Sequence, residues 1–439
     1  MNKAEYYIAV FVFLFAGITY SQQYCITGRF DTTYYFTLEQ VDTLGNISYG
    51  QNTDWLGNPV NLKFIISYPK LSIDPLQKRP FILMIHGGGF YAGDKYDLKI
   101  PMLDFSARGY VCASIDYRVG WNTGGNPSLC FGDGLSLSKA VYRAMQDSKA
   151  AFRYFKANAN IYGIDTNYMF AAGISAGAVT SLMISFAAQQ DINNFNPVLS
   201  QELGLLDTAT NSYRNSFKIK SIVSISGGLL DTVYIKNSNV IPTLMFHGTA
   251  DAIVPYGTGY VYNCTNYIKT MGSDEIRKRF RNLIKPFELD YVPGGGHENY
   301  YPIEYFQTRT VKFLKRYLCN QAKQIVIENY TTLLDTLLGS FIHISRRNEE
   351  FPAGYKLYQN YPNPFNPTTK IDFDIPRDCY VSIKIYDVTG RVVKSILNER
   401  KPAGFYTVSF TANNLAGGVY FYKLFAGDFS DVKRMVLVK

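Results

Sequence analysis

Four short motifs in this chain hold the residue types that acyl transfer needs, in a workable order. His86-Gly87-Gly88-Gly89-Phe90 comes first, then Gly173-Ile174-Ser175-Ala176-Gly177. His247-Gly248-Thr249-Ala250-Asp251 and Gly294-Gly295-Gly296-His297 follow. A serine hydroxyl is a weak nucleophile until a base takes its proton, and a carboxylate behind that base fixes its tautomer. Ser175 follows an apolar run (168–173) and precedes a small-residue helical stretch (178–188). That is the strand–turn–helix setting of a nucleophile elbow, where glycines on either side of the serine let strand and helix pass closely. We therefore expect Ser175 as nucleophile, His297 as base and Asp251 as the orienting acid. Backbone N–H groups of Gly88, Gly89 and Ala176 are the expected oxyanion donors, because a developing negative charge is best met by fixed dipoles.

Other candidates are weaker. His343 lies outside the α/β region, and Asp290 and Glu298 are badly spaced for the acid. His86 and His247 are expected to be structural hydrogen-bonding residues beside their turns. Arg118, in Asp116-Tyr117-Arg118, is expected to pair with Asp147 on the following helix. Phe90, Tyr91, Tyr117 and Trp121 sit at motif ends and are expected to line a substrate pocket, although aromatics there also serve as plain core.

The elements needed to hold these motifs are visible as short apolar β-rich runs at 80–85, 110–115, 168–174, 219–226, 241–246 and 287–292. Near-continuous apolar runs are the mark of parallel strands buried on both faces. Helix-like periodicity separates them at 138–157 and 308–318, which predicts a doubly wound α/β sheet, preceded by antiparallel strands within 24–68. Two polar connections, 120–137 and 189–217, are long enough to be functional. The second, directly after the elbow helix, is expected to form a mobile cap beside the pocket. After Cys319 the texture changes. Residues 320–349 read as a linker, and a proline-rich stretch, Tyr361-Pro362-Asn363-Pro364-Phe365-Asn366-Pro367, opens an alternating region. The runs Ile371/Phe373/Ile375, Val381/Ile383/Ile385, Tyr406/Val408/Phe410 and Val419/Phe421/Lys423 predict a small all-β sandwich over 350–439.

At 439 residues the chain exceeds one ordinary domain, and its 47% hydrophobic share allows a large core. The net charge of +9 is not gathered into Lys/Arg blocks, so no nucleic-acid partner is expected. Lys3, an apolar stretch over 6–20, and small residues at Thr19 and Ser21 read as a signal peptide over 1–21, with the catalytic domain over 22–319. The apolar stretch is short for a stable membrane span. Secretion permits disulfides among the six cysteines, whose pairing the sequence leaves open. Cys112, inside an apolar strand, is expected to be a buried free thiol. No metal or cofactor motif is present.

Residues 60–319 resemble a secreted α/β-hydrolase carboxylesterase of the His-Gly-Gly-Gly type, related to hormone-sensitive-lipase-like and feruloyl-type esterases. The resemblance rests on His86–Phe90, Asp116–Arg118, Gly173–Gly177, 247–255 and Gly296-His297. It implies the same triad and oxyanion donors, and an ester substrate, small or polymeric, with acetyl, feruloyl and polyester groups all open. Residues 350–439 resemble the C-terminal sorting domain of the type IX secretion system, on 358–367, Ile385-Tyr386-Asp387, 418–422 and 433–439. That implies the secretion machinery as a partner and a secreted or surface location. Two other readings stay open. One is a peptidase of the prolyl-oligopeptidase type, for whose usual β-propeller the chain has no room. The other is a non-catalytic surface binding protein on a hydrolase scaffold.

Overall fold

The computed structural model describes residues 24–297, 303–328, 354–360, 363–402, 404–413 and 415–438. The expected signal peptide lies outside them. The chain divides into two compact units, one running up to Arg279 and including Val292–Ala322, the other made of Phe280–Tyr291 and Lys323 onward.

The first unit carries, in chain order, β1 (Val41–Thr53), β2 (Pro59–Pro69), β3 (Arg79–Ile85), α1 (Lys99–Ala107), β4 (Val111–Ile115), α2 (Gly134–Ala157), α3 (Ala159–Tyr162), β5 (Ile164–Ile174) and α4 (Ala176–Phe186). It continues with α5 (Gln189–Phe195), α6 (Val198–Leu203), β6 (Ile219–Ile225), β7 (Gly228–Leu229), β8 (Thr243–Gly248), β9 (Thr258–Tyr260), β10 (Lys269–Gly272), α7 (Ser273–Asn282) and α8 (Ile303–Leu318). Its main strands lie in the order β1-β2-β4-β3-β5-β6-β8. β1 and β2 form the antiparallel lead-in, with Ile47 opposite Phe64, and β2 runs antiparallel to β4. From β4 onward the strands are parallel, with Leu83 beside both Ala113 and Ala171, and Val223 beside both Ala172 and Leu244. Every residue of β3 and β4 is buried, which explains why, apart from Arg79 at the start of β3 and Ser114 in β4, their sequences are apolar. The chain steps outward from β3 to β4 and returns to the other side of β3 as β5. That reversal is the switch point where parallel α/β sheets open a crevice at their carboxyl ends. Both the His86–Phe90 turn and Ser175 lie there.

Helix α2 begins on Asp133, whose carboxylate accepts from the N–H groups of Leu135 and Ser136. Its buried Asp147 meets Arg118 at 2.9 Å, the expected pair, and Gln146 adds a further bond to the guanidinium. The 189–217 segment differs from expectation. It is fastened along α2 and does not form a mobile cap. Gln146 donates to the Leu203 carbonyl (2.7 Å), Arg153 to that of Ala209 (2.6 Å), and Asn211 to that of Ala150 (2.8 Å); Thr210 donates to Asp147 (2.6 Å). Its polar residues satisfy buried groups of α2, which a count of polar residues mistakes for solvent exposure. Two disulfides form, Cys25–Cys319 and Cys130–Cys264, and Cys112 is a buried free thiol whose pKa burial pushes far up.

In the second unit β11 (Phe287–Val292) and β12 (Gln324–Glu328) pair in parallel, Leu289 beside Val326. β12 falls inside the expected linker. Its Gln-Ile-Val-Ile-Glu sequence is short but β-branched, and Ile325 and Ile327 are buried. The rest of that linker lies outside the described residues. β13 (Lys356–Leu357), β14 (Thr368–Ile375) and β17 (Gly404–Thr411) form one small sheet. β15 (Cys379–Tyr386), β16 (Val392–Lys401), β18 (Gly418–Ala426) and β19 (Phe429–Leu437) form another. Their common core includes Ile371, Phe373, Val381, Ile383, Ile385 and Phe410. On β18 the inward face is Tyr420, Tyr422, Leu424 and Ala426, one residue out of step with the expected Val419/Phe421/Lys423 set. A strand aromatic on both faces gives no periodic cue, and a one-residue slip exchanges the faces.

Candidate active site

Ser175 sits between β5 and α4 at φ 54° and ψ −119°, a backbone conformation that L-residues rarely adopt. It is fastened by its N–H to the Ile225 carbonyl on β6 (2.8 Å) and by its carbonyl to the Val179 N–H on α4 (2.9 Å). Gly177 is required by close approach, because a Cβ there would run into the Ile85 carbonyl at the end of β3. Strand, turn and helix therefore present one buried hydroxyl at the switch point.

His297 reaches that hydroxyl from the loop after β11. Its Nε2 lies 2.9 Å from Ser175 Oγ and its Nδ1 lies 2.7 Å from Asp251 Oδ2. The carboxylate can only accept, so Nδ1 carries the proton and Nε2 presents its lone pair to the serine. Close backbone approach brings the two loops together. A Cβ on Gly248 would meet the carbonyls of Gly295 and Gly296. Thr249 N–H donates to Val292 O (3.0 Å), Ala250 N–H to Gly295 O (2.9 Å), and Gly294 N–H to Thr249 Oγ1 (2.8 Å). Asp251 Oδ1 accepts from the N–H groups of Ile253 and Val254 at 2.8 and 2.9 Å. Burial alone would raise the Asp251 carboxyl, but hydrogen bonds from His247 and His297 hold it well below the usual carboxylate range. His247 is fully buried. Its Nε2–H points at the Val254 carbonyl (2.9 Å) and Asp251 Oδ2 (3.2 Å), so Nδ1 accepts from Ser273 Oγ (2.8 Å).

The 86–90 turn lies against the elbow. Gly88 and Gly89 have φ of 97° and 59°, and Tyr91 and Ala92 both donate to the Gly88 carbonyl at 3.0 Å. Two of the four aromatics expected to line the pocket are supports for this turn. Tyr117 is buried, stacks on His86 at 4.3 Å, and donates to the His86 and Gly87 carbonyls at 3.1 and 3.2 Å. Trp121 is buried and donates through Nε1 to the Gly89 carbonyl (2.9 Å). Burial pulls the His86 pKa down, consistent with a neutral ring whose Nδ1–H is spent on Gly87 O (2.8 Å). Phe90 does face the space beside Ser175; Tyr91 is exposed, its ring beside Gly89.

That space is small, about 20 Å³, bounded by Phe90, Leu137, Val179, Val254, Tyr262 and Ile268 with Gly89, Ser175 and Ala176. The wall from 253–270 escaped sequence reasoning. Tyr262 stands at φ 56°, and a Cβ on Gly89 would lie 2.5 Å from its hydroxyl. The Cys130–Cys264 bond joins this wall to the 120–133 loop. Asn266 Nδ2 donates to the carbonyls of Cys130 (3.1 Å) and Gly132 (2.9 Å), and the Gly132 N–H donates to Tyr267 Oη (3.0 Å). The available signal was two cysteines, one in each of two glycine-rich connections.

Residues 134–239 match the family described as BD-FAE, and residues 359–439 match the secretion system C-terminal sorting domain. Esterase LipC of Mycobacterium tuberculosis is 28% identical over 115 residues, which is 26% of this chain and 25% of that protein; the match spans about a quarter of the relative's length. Among solved structures, Thermogutta terrifontis esterase 2 phosphorylated by paraoxon aligns at 18% identity and TM-score 0.43, covering 65% of this chain and 95% of the other. Esterase B from Lactobacillus rhamnosis aligns at 14% and 0.42, covering 65% and 88%. The sorting domain directs export by the type IX route to the cell surface or beyond. The chain thus carries a match to the BD-FAE family within its α/β unit, followed by a match to a secretion system C-terminal sorting domain.

Proposed function

We propose that this chain is a secreted serine hydrolase of carboxylic esters, with Ser175, His297 and Asp251 as its triad. The observation that carries the reading is the unbroken hydrogen-bond chain from Asp251 through His297 to Ser175, at 2.7 and 2.9 Å. In acylation Ser175 Oγ attacks the ester carbonyl while His297 Nε2 takes its proton. The carbonyl oxygen gains negative charge and is met by the N–H groups of Gly88, Gly89 and Ala176. Collapse of the tetrahedral species expels the alcohol, which takes the proton from His297, and leaves an acyl-Ser175. Water activated by the same imidazole then attacks the acyl carbon, releases the carboxylic acid and returns the proton to the serine.

The space beside Ser175 is narrow and walled by Phe90, Leu137, Val179 and Tyr262, so a short acyl chain is the substrate that fits it best. Turnover of nitrophenyl acetate by the wild type and by Ser175→Ala tests the reading. The variant should lose at least about a thousandfold while keeping its fold. A variant retaining most of its turnover removes Ser175 as nucleophile.

A further inference from the structure

An open cavity lies at the end of the sheet opposite the catalytic crevice. It has a volume of about 620 Å³ and touches Ile219 and Lys220 at the start of β6, Ile241 just before β8, and Ile184 and Ser185 at the end of α4. Ser175 is bonded to Ile225 at the far end of β6, six residues from Ile219, so the two sites stand roughly 20 Å apart along the strand.

Five cations line this cavity: Lys149, Arg153, Arg214, Lys218 and Lys220. The single acid among the lining residues, Asp207, is taken up by Lys149 at 2.7 Å. Among the described residues no carboxylate comes within ion-pair distance of the other four. Arg153 is 3% exposed, and its Nη1 is buried with no hydrogen-bond acceptor. Burial pulls it down to about 10, with Asp207 opposing the shift and the Arg214 charge adding to it. Like charges converging on one cavity, with a buried guanidinium short of an acceptor, are relieved by an anion. The rest of the lining is not that of a bare phosphate hole. Asn215, Ser216 and Ser238 are exposed amide and hydroxyl groups, and Phe217 contributes an apolar patch backed by Phe152 (ring centroids 5.0 Å apart). Carboxylates for the cations, hydroxyls for the amides and hydroxyls, and ring C–H faces for the aromatic are together the chemistry of an acidic sugar. The volume suits a short oligosaccharide.

We infer that this cavity is a second, non-catalytic site that binds uronate-bearing oligosaccharide. The inference stands apart from the ester-hydrolase reading, because none of its residues touches Ser175, His297 or Asp251.

The test is calorimetric titration of the full chain with a four-unit oligogalacturonate, a neutral oligosaccharide of the same length, and inorganic phosphate. It is repeated on the Arg214→Ala/Lys218→Ala/Lys220→Ala variant. The wild type should bind the oligouronate most tightly, more weakly as salt rises. The variant should lose about tenfold in affinity, because three exposed ion pairs each contribute a modest factor. Nitrophenyl acetate turnover, equal in both proteins, shows that the variant is folded; matching thermal unfolding curves serve the same end if neither protein turns it over. The inference is overturned if the wild type does not bind oligouronate, if the variant binds it equally, or if neutral sugar or phosphate binds as tightly.

Discussion

Replacing Asp251 by Asn isolates what the carboxylate does, because the structure gives its two oxygens different tasks. Oδ1 accepts from the N–H groups of Ile253 and Val254, and an amide oxygen can keep both bonds. The amide nitrogen then takes the place of Oδ2 and faces His297 Nδ1 at the 2.7 Å position. An N–H donor there forces Nδ1 to become the acceptor, so the proton moves to Nε2. The imidazole then has no lone pair for Ser175. The expected loss in kcat is about 10⁴-fold near neutral pH, or about 5 kcal/mol of transition-state stabilisation. Stability should change far less. His247 keeps its bond to the Val254 carbonyl, and the loss of its 3.2 Å contact with Oδ2 costs about 1–2 kcal/mol. The assay is nitrophenyl acetate turnover beside thermal unfolding. A folded variant with more than a few per cent of wild-type kcat would refute the assignment of Asp251.

Three further outcomes follow from the same geometry. Tyr262→Ala removes a phenol from the wall of the space beside Ser175, and two extra acyl methylenes buried there are worth about 1.6 kcal/mol. The butyrate-to-acetate ratio of kcat/KM should therefore rise about tenfold, and an unchanged ratio would place the acyl group elsewhere. In the pH profile, the depressed Asp251 carboxyl remains ionised through the imidazole range. kcat/KM should rise along a single acid limb set by an imidazole, with no separate carboxylate limb. Because its folded pKa is lowered, the stability contributed by Asp251 is present above about pH 4 and is lost as pH falls below that. A profile flat from pH 5 to 8 contradicts His297 as base.

The candidate site's motifs stand out in the sequence because they are backbone requirements. Gly177 and Gly248 are glycine since strand, helix and loop touch there, and such demands leave a local mark at fixed spacing. The strands β3, β4, β5 and β6 were legible because their central, buried stretches are mostly apolar and β-branched or small. What escaped depends on contacts between distant segments. Tyr117 and Trp121 hydrogen-bond the carbonyls of the 86–89 turn, yet an aromatic beside a motif looks the same whether it lines a pocket or braces it. Tyr262 stands two residues before Cys264, whose bond to Cys130 ties this wall to the 120–133 loop, and spacing does not select that pair among six cysteines. The polar 189–217 segment resembled a lid because its partners, Gln146, Asp147 and Arg153, are buried on α2, distant from it in the sequence.

The most direct test of the central claim is covalent. The full chain is treated with a serine-directed organophosphate until nitrophenyl acetate turnover stops, then digested and mapped by mass spectrometry. One phosphoryl group on the peptide containing Ser175, with loss of activity proportional to its occupancy, is the predicted result. Labelling at another serine in step with inactivation, or full labelling of Ser175 with activity retained, would contradict it.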